Sequence, residues 1–244
     1  KNKCSLENLG AFIFFFVSCK ENKELKKYSF ALSGAISNPT EQYLILSEVG
    51  KSGFSQNDTI SLDKEGVFSK NIEMQEPTLY SLALGNEYII ICPTIGEQIS
   101  IKASGSNFSG TYNIEGSLES ELLKELNKEN YNVRLSLKSM SEELSKADTA
   151  KLDSIRTSII EKYTSTKQYQ EKITSDFINK NLGSLTTLIA LYRTFDGFAL
   201  FDYNQSLEMH KKVLQGLKQT LPNNQHTLTL ENFIAEKENA QKKN

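Results

Sequence analysis

The sequence has 244 residues, of which 38% are hydrophobic and 24% charged, and its formal net charge is −2. A chain of this length can hold one large domain or two small ones, each with a real hydrophobic core. Proteins that bind nucleic acids usually carry an excess of basic residues, and this near-neutral chain has no such excess. No nucleic-acid partner is therefore expected.

An uncharged apolar run, LGAFIFFFV at residues 9–17, lies close to the N-terminus. As a helix it would rise only about 14 Å at ~1.5 Å per residue, whereas the hydrocarbon core of a bilayer is roughly 30 Å thick. The run is therefore too short to span a membrane. Lys1 and Lys3 precede it, and a positive region followed by a short apolar region is the order of a secretion signal. A buried core strand remains an alternative.

The apolar run ends in the tetrapeptide Phe16-Val17-Ser18-Cys19. It resembles the bacterial lipobox, in which a cysteine after a small residue is acylated on sulfur and becomes the new N-terminus, although Phe16 stands where leucine is usual. We therefore predict cleavage between Ser18 and Cys19, lipidation of Cys19, and lipid anchorage in the bacterial cell envelope, facing the periplasm or the cell surface. Two or three acyl chains anchor a protein stably. An ordinary signal peptide with an incidental cysteine is the alternative.

Cysteine usage constrains the redox chemistry of the mature chain. The sequence has three cysteines; Cys4 falls in the predicted signal peptide, 1–19, and Cys19 is assigned to lipid. Cys92 is then alone, so neither an intramolecular disulfide nor a Cys-x-x-Cys pair can form. Because Cys92 follows the apolar run YIII, we interpret it as a small buried hydrophobe. A reactive or intermolecular thiol is the alternative.

After a charged tether at 20–27, the pattern changes to alternation. Phe30, Leu32 and Ile36 alternate with smaller or polar residues, and Gly34 stands where this pattern would have a fourth apolar residue. The alternation predicts a half-buried strand at 28–36. Further strands are predicted at 42–48, 58–62, 66–72, 79–84, 87–92, 98–103 and 108–115. Turn residues such as Asn38-Pro39 and Gly85-Asn86 separate them. Short strands without intervening helices predict an antiparallel β-sandwich over 28–116.

Helical periodicity begins at residue 117 and continues through the segment 117–244. Ser117 is the expected N-cap, and one helix face, on a single helix or two in series, is predicted from Leu118, Leu122, Leu126, Val133, Leu137, Met140 and Leu144. A second helix should end near 181–183. A third, at 185–195, is apolar nearly all round, a fourth ends at Leu221-Pro222, and a weak final helix covers 230–240. The chain thus reads as an α+β fold with a boundary near residue 116.

Several motifs of both segments match one module. They are Phe30-x-Leu32-x-Gly34-x-Ile36, Asp63-x-x-Gly66-x-Phe68, Glu76-Pro77-x-Leu79-Tyr80, Gly96-Glu97-x-Ile99-x-Ile101 and Ile114-x-Gly116-Ser117. Together with the lipobox they resemble the uncharacterised N-terminal domain of envelope lipoproteins that carry a C-terminal thioredoxin-like, TlpA-type disulfide oxidoreductase domain. Asn181-x-x-Ser184 followed by an apolar helix resembles the linker bundle that precedes that redox domain. The resemblance covers almost the whole mature chain, but its motifs are structural.

The catalytic half of such proteins is absent from this chain. No Trp-Cys-x-x-Cys occurs, and the sequence contains no tryptophan, so the chain is either a fragment or a member that lacks the redox domain. The resemblance implies a non-catalytic module that binds or positions a thioredoxin-like domain or partner, with homodimerisation through the sandwich as a further expectation. The alternative is a free-standing envelope lipoprotein that binds a small molecule, a glycan or a peptide.

Other catalytic patterns fail on spacing or composition. Gly50-Lys51-Ser52 mimics the end of a phosphate-binding loop, but Ile45 stands where that loop needs glycine. Only His210 and His226 are present, which excludes a multi-histidine metal site, and no metal or cofactor is expected. His210 is predicted to lie partly exposed on the fourth helix. The acidic pair Glu142-Glu143, with lysines nearby, is interpreted as a solvated helix face rather than a glycosidase carboxylate pair.

Overall fold

The computed structural model describes residues 28–50 and 53–241, which combine β-sheets with helices, as the predicted α+β class requires. The predicted signal peptide with Ser18 and Cys19, the tether 20–27, and the pair Lys51 and Ser52 lie outside the described residues. We refer to residues 28–116 as the β unit and to residues 117–241 as the α unit.

Two four-stranded sheets make up the β unit. Their strands are β1 (Tyr28–Ser37), β2 (Tyr43–Gly50), β3 (Gly53–Ser61), β4 (Val67–Met74), β5 (Tyr80–Leu84), β6 (Glu87–Ile91), β7 (Gln98–Ser104) and β8 (Asn113–Glu115). The first sheet has the order β4-β1-β7-β8 and the second has the order β3-β2-β5-β6. Each predicted strand thus overlaps an observed one, with ends shifted by up to five residues.

The two sheets share one hydrophobic core, as the alternation of the strands predicts. Phe30, Leu32 and Ile36 of β1 lie in the same buried cluster as Leu44 and Leu46 of β2. Because successive side chains of a strand point to opposite faces, a period of two places all of these residues on the inner faces. The described residues contain no strand pair that joins the two sheets into a closed barrel. At one corner Lys70 of β4 forms an ion pair with Asp58 of β3.

The expectation of a purely antiparallel sandwich is wrong in one strand pair. β1 runs antiparallel to β4 but parallel to β7, with Gly34 opposite Ile101. A Cβ on Gly34 would lie 1.8 Å from the carbonyl oxygen of Ile101. Gly34 is therefore more than a gap in the apolar pattern, because any side chain at this position would force β7 away from β1.

The predicted strand at 108–115 is wrong in its first half. A 3₁₀ turn at Gly105–Asn107 leads into the short helix α1 (Phe108–Thr111), and only β8 is extended. The side chain of Glu87 accepts hydrogen bonds of 2.7 Å from both the backbone N–H and the hydroxyl of Ser109. This cap holds the helical turn, from which Phe108 still reaches the core. Helix is therefore not confined to the C-terminal segment.

The α unit consists of five α-helices, a 3₁₀ turn at Thr149–Lys151 and a small hairpin in its described residues. The helices are α2 (Leu118–Ser145), α3 (Leu152–Lys180), α4 (Thr186–Leu191), α5 (Tyr203–Thr220) and α6 (Gln225–Gln241). The strands β9 (Thr194–Phe195) and β10 (Phe198–Ala199) form the hairpin. It replaces the last residues of the predicted third helix, and Asp196 and Gly197 in its turn both have positive φ angles.

The N-cap of α2 is confirmed, but the predicted buried face is wrong in the first turns. The Ser117 side chain accepts a hydrogen bond from the backbone N–H of Ser120. Leu118 is 69% exposed, whereas Leu123 is fully buried. Ser120 faces the sheet instead, where its hydroxyl accepts a hydrogen bond of 3.0 Å from the backbone N–H of Cys92. This contact rotates Leu118 toward solvent.

A second hydrophobic core joins the two units. It contains Leu79, which precedes β5, and Cys92, which follows β6, together with helix residues such as Leu123, Leu191 and Leu217. The α unit therefore packs on the outer face of the second sheet and shares a core with it.

The far part of the α2–α3 pair has much less core. α2 and α3 have 28 and 29 residues, which corresponds to roughly 42 Å each. Within residues 131–169, which we call the arm, only Val133 and Met140 are buried. The hairpin supports the arm at one point, where Tyr163 packs edge-to-face on Phe195 with ring centroids 5.0 Å apart.

Candidate functional site

Cys92 lies where the second sheet meets the start of α2. Its N–H donates to Ser120, and its carbonyl oxygen accepts from the Ser117 hydroxyl at 3.4 Å. The residue is 3% exposed. Burial raises the pKa of the Cys92 thiol far above its ordinary value, and the charges of Glu119 and Glu97 add to the shift. Since the thiolate is the nucleophile, the thiol is inert where it lies, and the interpretation of Cys92 as a small buried hydrophobe is confirmed. We call Cys92, Ser117, Glu119 and Ser120 the Cys92 junction.

Asn181 and Ser184 of the predicted linker motif are structural residues. The side-chain amide of Asn181 donates to the carbonyl oxygen of Phe177 at 2.8 Å and so ends α3. The Ser184 hydroxyl donates to the carboxylate of Glu119 and accepts from the backbone N–H of Thr186 at 3.0 Å. The motif thus connects the beginning of α4 to the beginning of α2, next to the Cys92 junction.

A second polar contact joins the start of α6 to the second sheet. The Asn224 side-chain amide donates to the carbonyl oxygen of Pro77 at 2.7 Å, and the side-chain amide of Gln225 donates to Glu48 Oε1 at 2.8 Å. The backbone N–H of Gln225 donates to Glu76 at 3.1 Å. Asn224 also accepts from the backbone N–H of His226 at 3.0 Å, so it caps the helix. We call Glu48, Glu76, Thr78, Asn224, Gln225 and His226 the α6 junction.

A hydroxyl, an imidazole and a carboxylate meet in the α6 junction. Thr78 Oγ1 lies 2.9 Å from His226 Nε2 and donates to Glu48 Oε1 at 3.4 Å. Burial lowers the pKa of His226, and the negative charge of Glu48 opposes that shift. Burial, aided by Glu48, raises the pKa of the neighbouring Tyr80 to about 12. The neutral forms of His226 and Tyr80 are therefore favoured in the folded protein.

This arrangement does not have the geometry of a nucleophile and its base. In a hydrolase triad the acid orients the second ring nitrogen of the histidine, whereas Glu48 here contacts the hydroxyl of Thr78. Thr78 is only 3% exposed, so a substrate carbonyl has no access to Oγ1. The α6 junction is best understood as a polar clamp that holds α6 on the sheet.

His210 corrects the expectation of a partly exposed surface residue. It is 2% exposed, and its ring packs against Tyr203 and Phe233 with centroids 5.4 and 6.2 Å away. Its Nδ1 donates to the carbonyl oxygen of Ser206 at 2.9 Å. The backbone of α5 is non-helical at Ser206, with φ −129° and ψ 29°, and this kink lies one turn before the ring. The two lysines after His210 in the sequence gave no sign of its aromatic surroundings in the fold.

Arg193, which the sequence did not single out, is a buried cation at the base of the β9–β10 hairpin. Its guanidinium donates to the carbonyl oxygen of Leu126 and to the side chain of Asn127, both at 3.0 Å. Burial lowers the pKa of Arg193 to about 10. Both acceptors are neutral and belong to α2, so Arg193 fastens the hairpin to that helix.

The acidic pair Glu142-Glu143 lies on a solvated helix face, as predicted. Glu143 forms an ion pair of 2.8 Å with Lys162 of α3, and Glu142 lies 3.9 Å from Lys138. Across the described ranges, no three His, Cys, Asp or Glu side chains are grouped to hold a metal ion. In the same part of the chain, no helix is both long and apolar enough to cross a membrane.

No family model matches the chain, and no curated protein matches its sequence. The resemblance to the N-terminal module of thioredoxin-like lipoproteins therefore rests on the motifs given above.

Proposed function

We propose that the chain is a non-catalytic, membrane-anchored binding and positioning module of a thioredoxin-like thiol:disulfide oxidoreductase lipoprotein in the bacterial envelope. Cys19 would carry the lipid after cleavage behind Ser18. The β unit would act as an open β-sandwich that binds a partner, and the α unit would hold the redox domain or redox partner at a set distance from the membrane.

The observation that carries this proposal is the coupling of the two units. One hydrophobic core contains residues of both units. The Cys92 junction adds buried hydrogen bonds, and the α6 junction adds partly buried ones at a separate place. A module that fixes the distance between the membrane and a redox domain needs this coupling, because a flexible joint between the units would let that distance vary. The buried thiol of Cys92 also supports a role without thiol chemistry of its own.

Lipid anchorage is tested by metabolic labelling with a palmitate analogue. We expect label in the wild type and in Cys92→Ser, and none in Cys19→Ala, which should be unprocessed or released from the membrane. Equal label in the wild type and in Cys19→Ala would refute the anchor.

The link to redox chemistry needs a separate test. The chain without residues 1–19 should not reduce insulin with a dithiol, because one cysteine cannot form the disulfide of a reductase cycle. Turnover that survives Cys92→Ser would contradict this expectation. Mass spectrometry of the native envelope protein should find a Cys-x-x-Cys thioredoxin fold in the same polypeptide or bound to it. An anchored protein with neither would exclude the redox role.

One observation favours the alternative, an envelope lipoprotein that binds a small ligand. A cleft of about 440 Å³ lies at the C-terminal ends of β1 and β7 in the first sheet, lined by Ala35, Ser37, Glu65, Lys102, Ala103, Thr111 and Asn113. If this alternative holds, a glycan or peptide from the envelope should bind the wild type and lose affinity in Lys102→Ala, while no redox partner is found.

A further inference from the structure

The arm carries large hydrophobic side chains that stay partly exposed in the described structure. Tyr131 is 41% exposed and Leu135 is 47% exposed, both on α2, and Tyr169 of α3 is 49% exposed. Most of the stability of a helix in a protein comes from packing its apolar face. With two buried residues in its whole length, the arm resembles part of a helical bundle rather than a finished one.

A groove runs between the two helices of the arm. Its larger part has a volume of about 510 Å³ and is lined by Leu135, Ser136, Ser139, Met140, Glu143, Lys162, Ser165 and Thr166. An adjoining part of about 260 Å³ shares Ser136, Ser165 and Thr166 and extends to Tyr169. Four of the eight residues that line the larger part carry small hydroxyl side chains, so another helix can approach closely. Leu135 lines the same groove and is 47% exposed, so its side chain is available to a partner that packs there.

On the face of α2 that carries Leu135, charged residues are arranged symmetrically about Leu135. Lys128 precedes Leu135 by seven residues and Glu142 follows it by seven, so the three lie on one side of the helix, two turns apart. Asn132 and Ser139 fill the places between them and line the groove. When the α2 helices of two copies pair antiparallel about Leu135, Lys128 of each copy lies opposite Glu142 of the other.

We propose that the arm is a dimer interface, in which two copies of this chain pair antiparallel with their two-fold axis at Leu135. A two-fold interface needs one patch that complements itself, and this patch does so in shape and in charge. Each Leu135 fills the groove of the other copy, and two reciprocal Lys128–Glu142 pairs fix the register. The interface does not depend on the proposed redox role.

The self-association of the chain is measured by sedimentation equilibrium on protein without residues 1–19, which retains every described strand and helix. The wild type should dimerise. Leu135→Glu should raise the dissociation constant about tenfold or more, because each copy buries a charge. Ile160→Glu is the matched control, since Ile160 is 66% exposed on the arm but lines neither part of the groove. Circular dichroism checks that both variants are folded.

A charge-swap cycle tests the antiparallel register. Lys128→Glu and Glu142→Lys should each weaken the dimer a few-fold, and the double variant Lys128→Glu/Glu142→Lys should recover most of the wild-type affinity. A monomeric wild type at every concentration would overturn the proposal. So would a dimer that Leu135→Glu leaves intact, or a double variant weaker than both single variants.

Discussion

The β unit and the arm contain similar apolar residues but bury them to different degrees. On β1 alone, Phe30, Leu32 and Ile36 are each at most 1% exposed. The arm is several times longer, yet only Val133 and Met140 are buried in it. A strand in a two-sheet stack has a facing layer over its whole length, whereas two paired helices cover only a narrow strip of each other. The difference indicates that the β unit has a core along the whole length of its strands, whereas the arm leaves much of its apolar surface exposed.

Separating the units should have the largest effect. Residues 117–244 alone should be loosely ordered, because α2 begins two residues after the last strand and its inner face needs the second sheet. Residues 20–116 alone should expose an apolar patch around Leu79 and Cys92 and self-associate. Circular dichroism melts and sedimentation velocity measure both effects. If both halves melted sharply at the temperature of the intact chain, the units would be independent domains.

Truncating one leucine should separate the buried face of α2 from its exposed face. We expect Leu123→Ala to lower the free energy of unfolding by about 2–5 kcal/mol, because Leu123 is fully buried where α2 meets the sheet. Leu118→Ala should change it by less than about 0.5 kcal/mol, as is usual for exposed sites. Urea unfolding monitored by circular dichroism gives both values. Equal losses in the two variants would mean that the helix is rotated from the orientation described.

Modification of Cys92 should report how tightly the units are joined. In protein without residues 1–19, Cys92 is the single cysteine, and a thiol reagent should modify it about a hundredfold more slowly than a free thiol, because the junction must open first. Leu123→Ala should speed the reaction, whereas Ile160→Ala in the arm should leave it unchanged. Rapid modification of the wild type would show that the junction opens readily.

Acidification should weaken the α6 junction by a smaller amount. Burial lowers the pKa of His226, so below its ordinary value of about 6.5 the unfolded chain binds a proton that the folded protein does not. The free energy of unfolding should therefore fall as the pH falls through this range, by less than about 1.4 kcal/mol per pH unit. His226→Gln keeps a polar group at the site and should flatten this dependence. An identical pH profile in the two proteins would remove His226 as the cause.

The strands could be predicted from the sequence because their signal is local. A period of two identifies the buried face of β1 without knowledge of its partners, and turn residues mark its end. The parallel pairing of β1 with β7 could not be predicted, because Ala31 and Gln98 are far apart in sequence. The short helix α1 was missed for the same reason, since its cap, Glu87, belongs to another strand.

Helix existence was predicted better than helix orientation. Ser117 marked the start of α2 correctly, but the spacing of leucines could not distinguish Leu118 from Leu123. A polar contact, between Ser120 and Cys92, decides that rotation. The α6 junction could not be predicted from the sequence, because Thr78 and His226 are 148 residues apart. Asn224 after Pro222 was the available sign of a capped helix start at this place.

The position of β1 between β4 and β7 has a mechanical consequence. β1 is the first described strand, so tension transmitted along the chain from the residues before Tyr28 acts directly on it. Its neighbours hold it on both sides over most of its length. A pull along the strand axis loads these hydrogen bonds in shear, so many of them must break together instead of one after another. The first sheet is therefore built to resist extension at the end where the chain enters the fold.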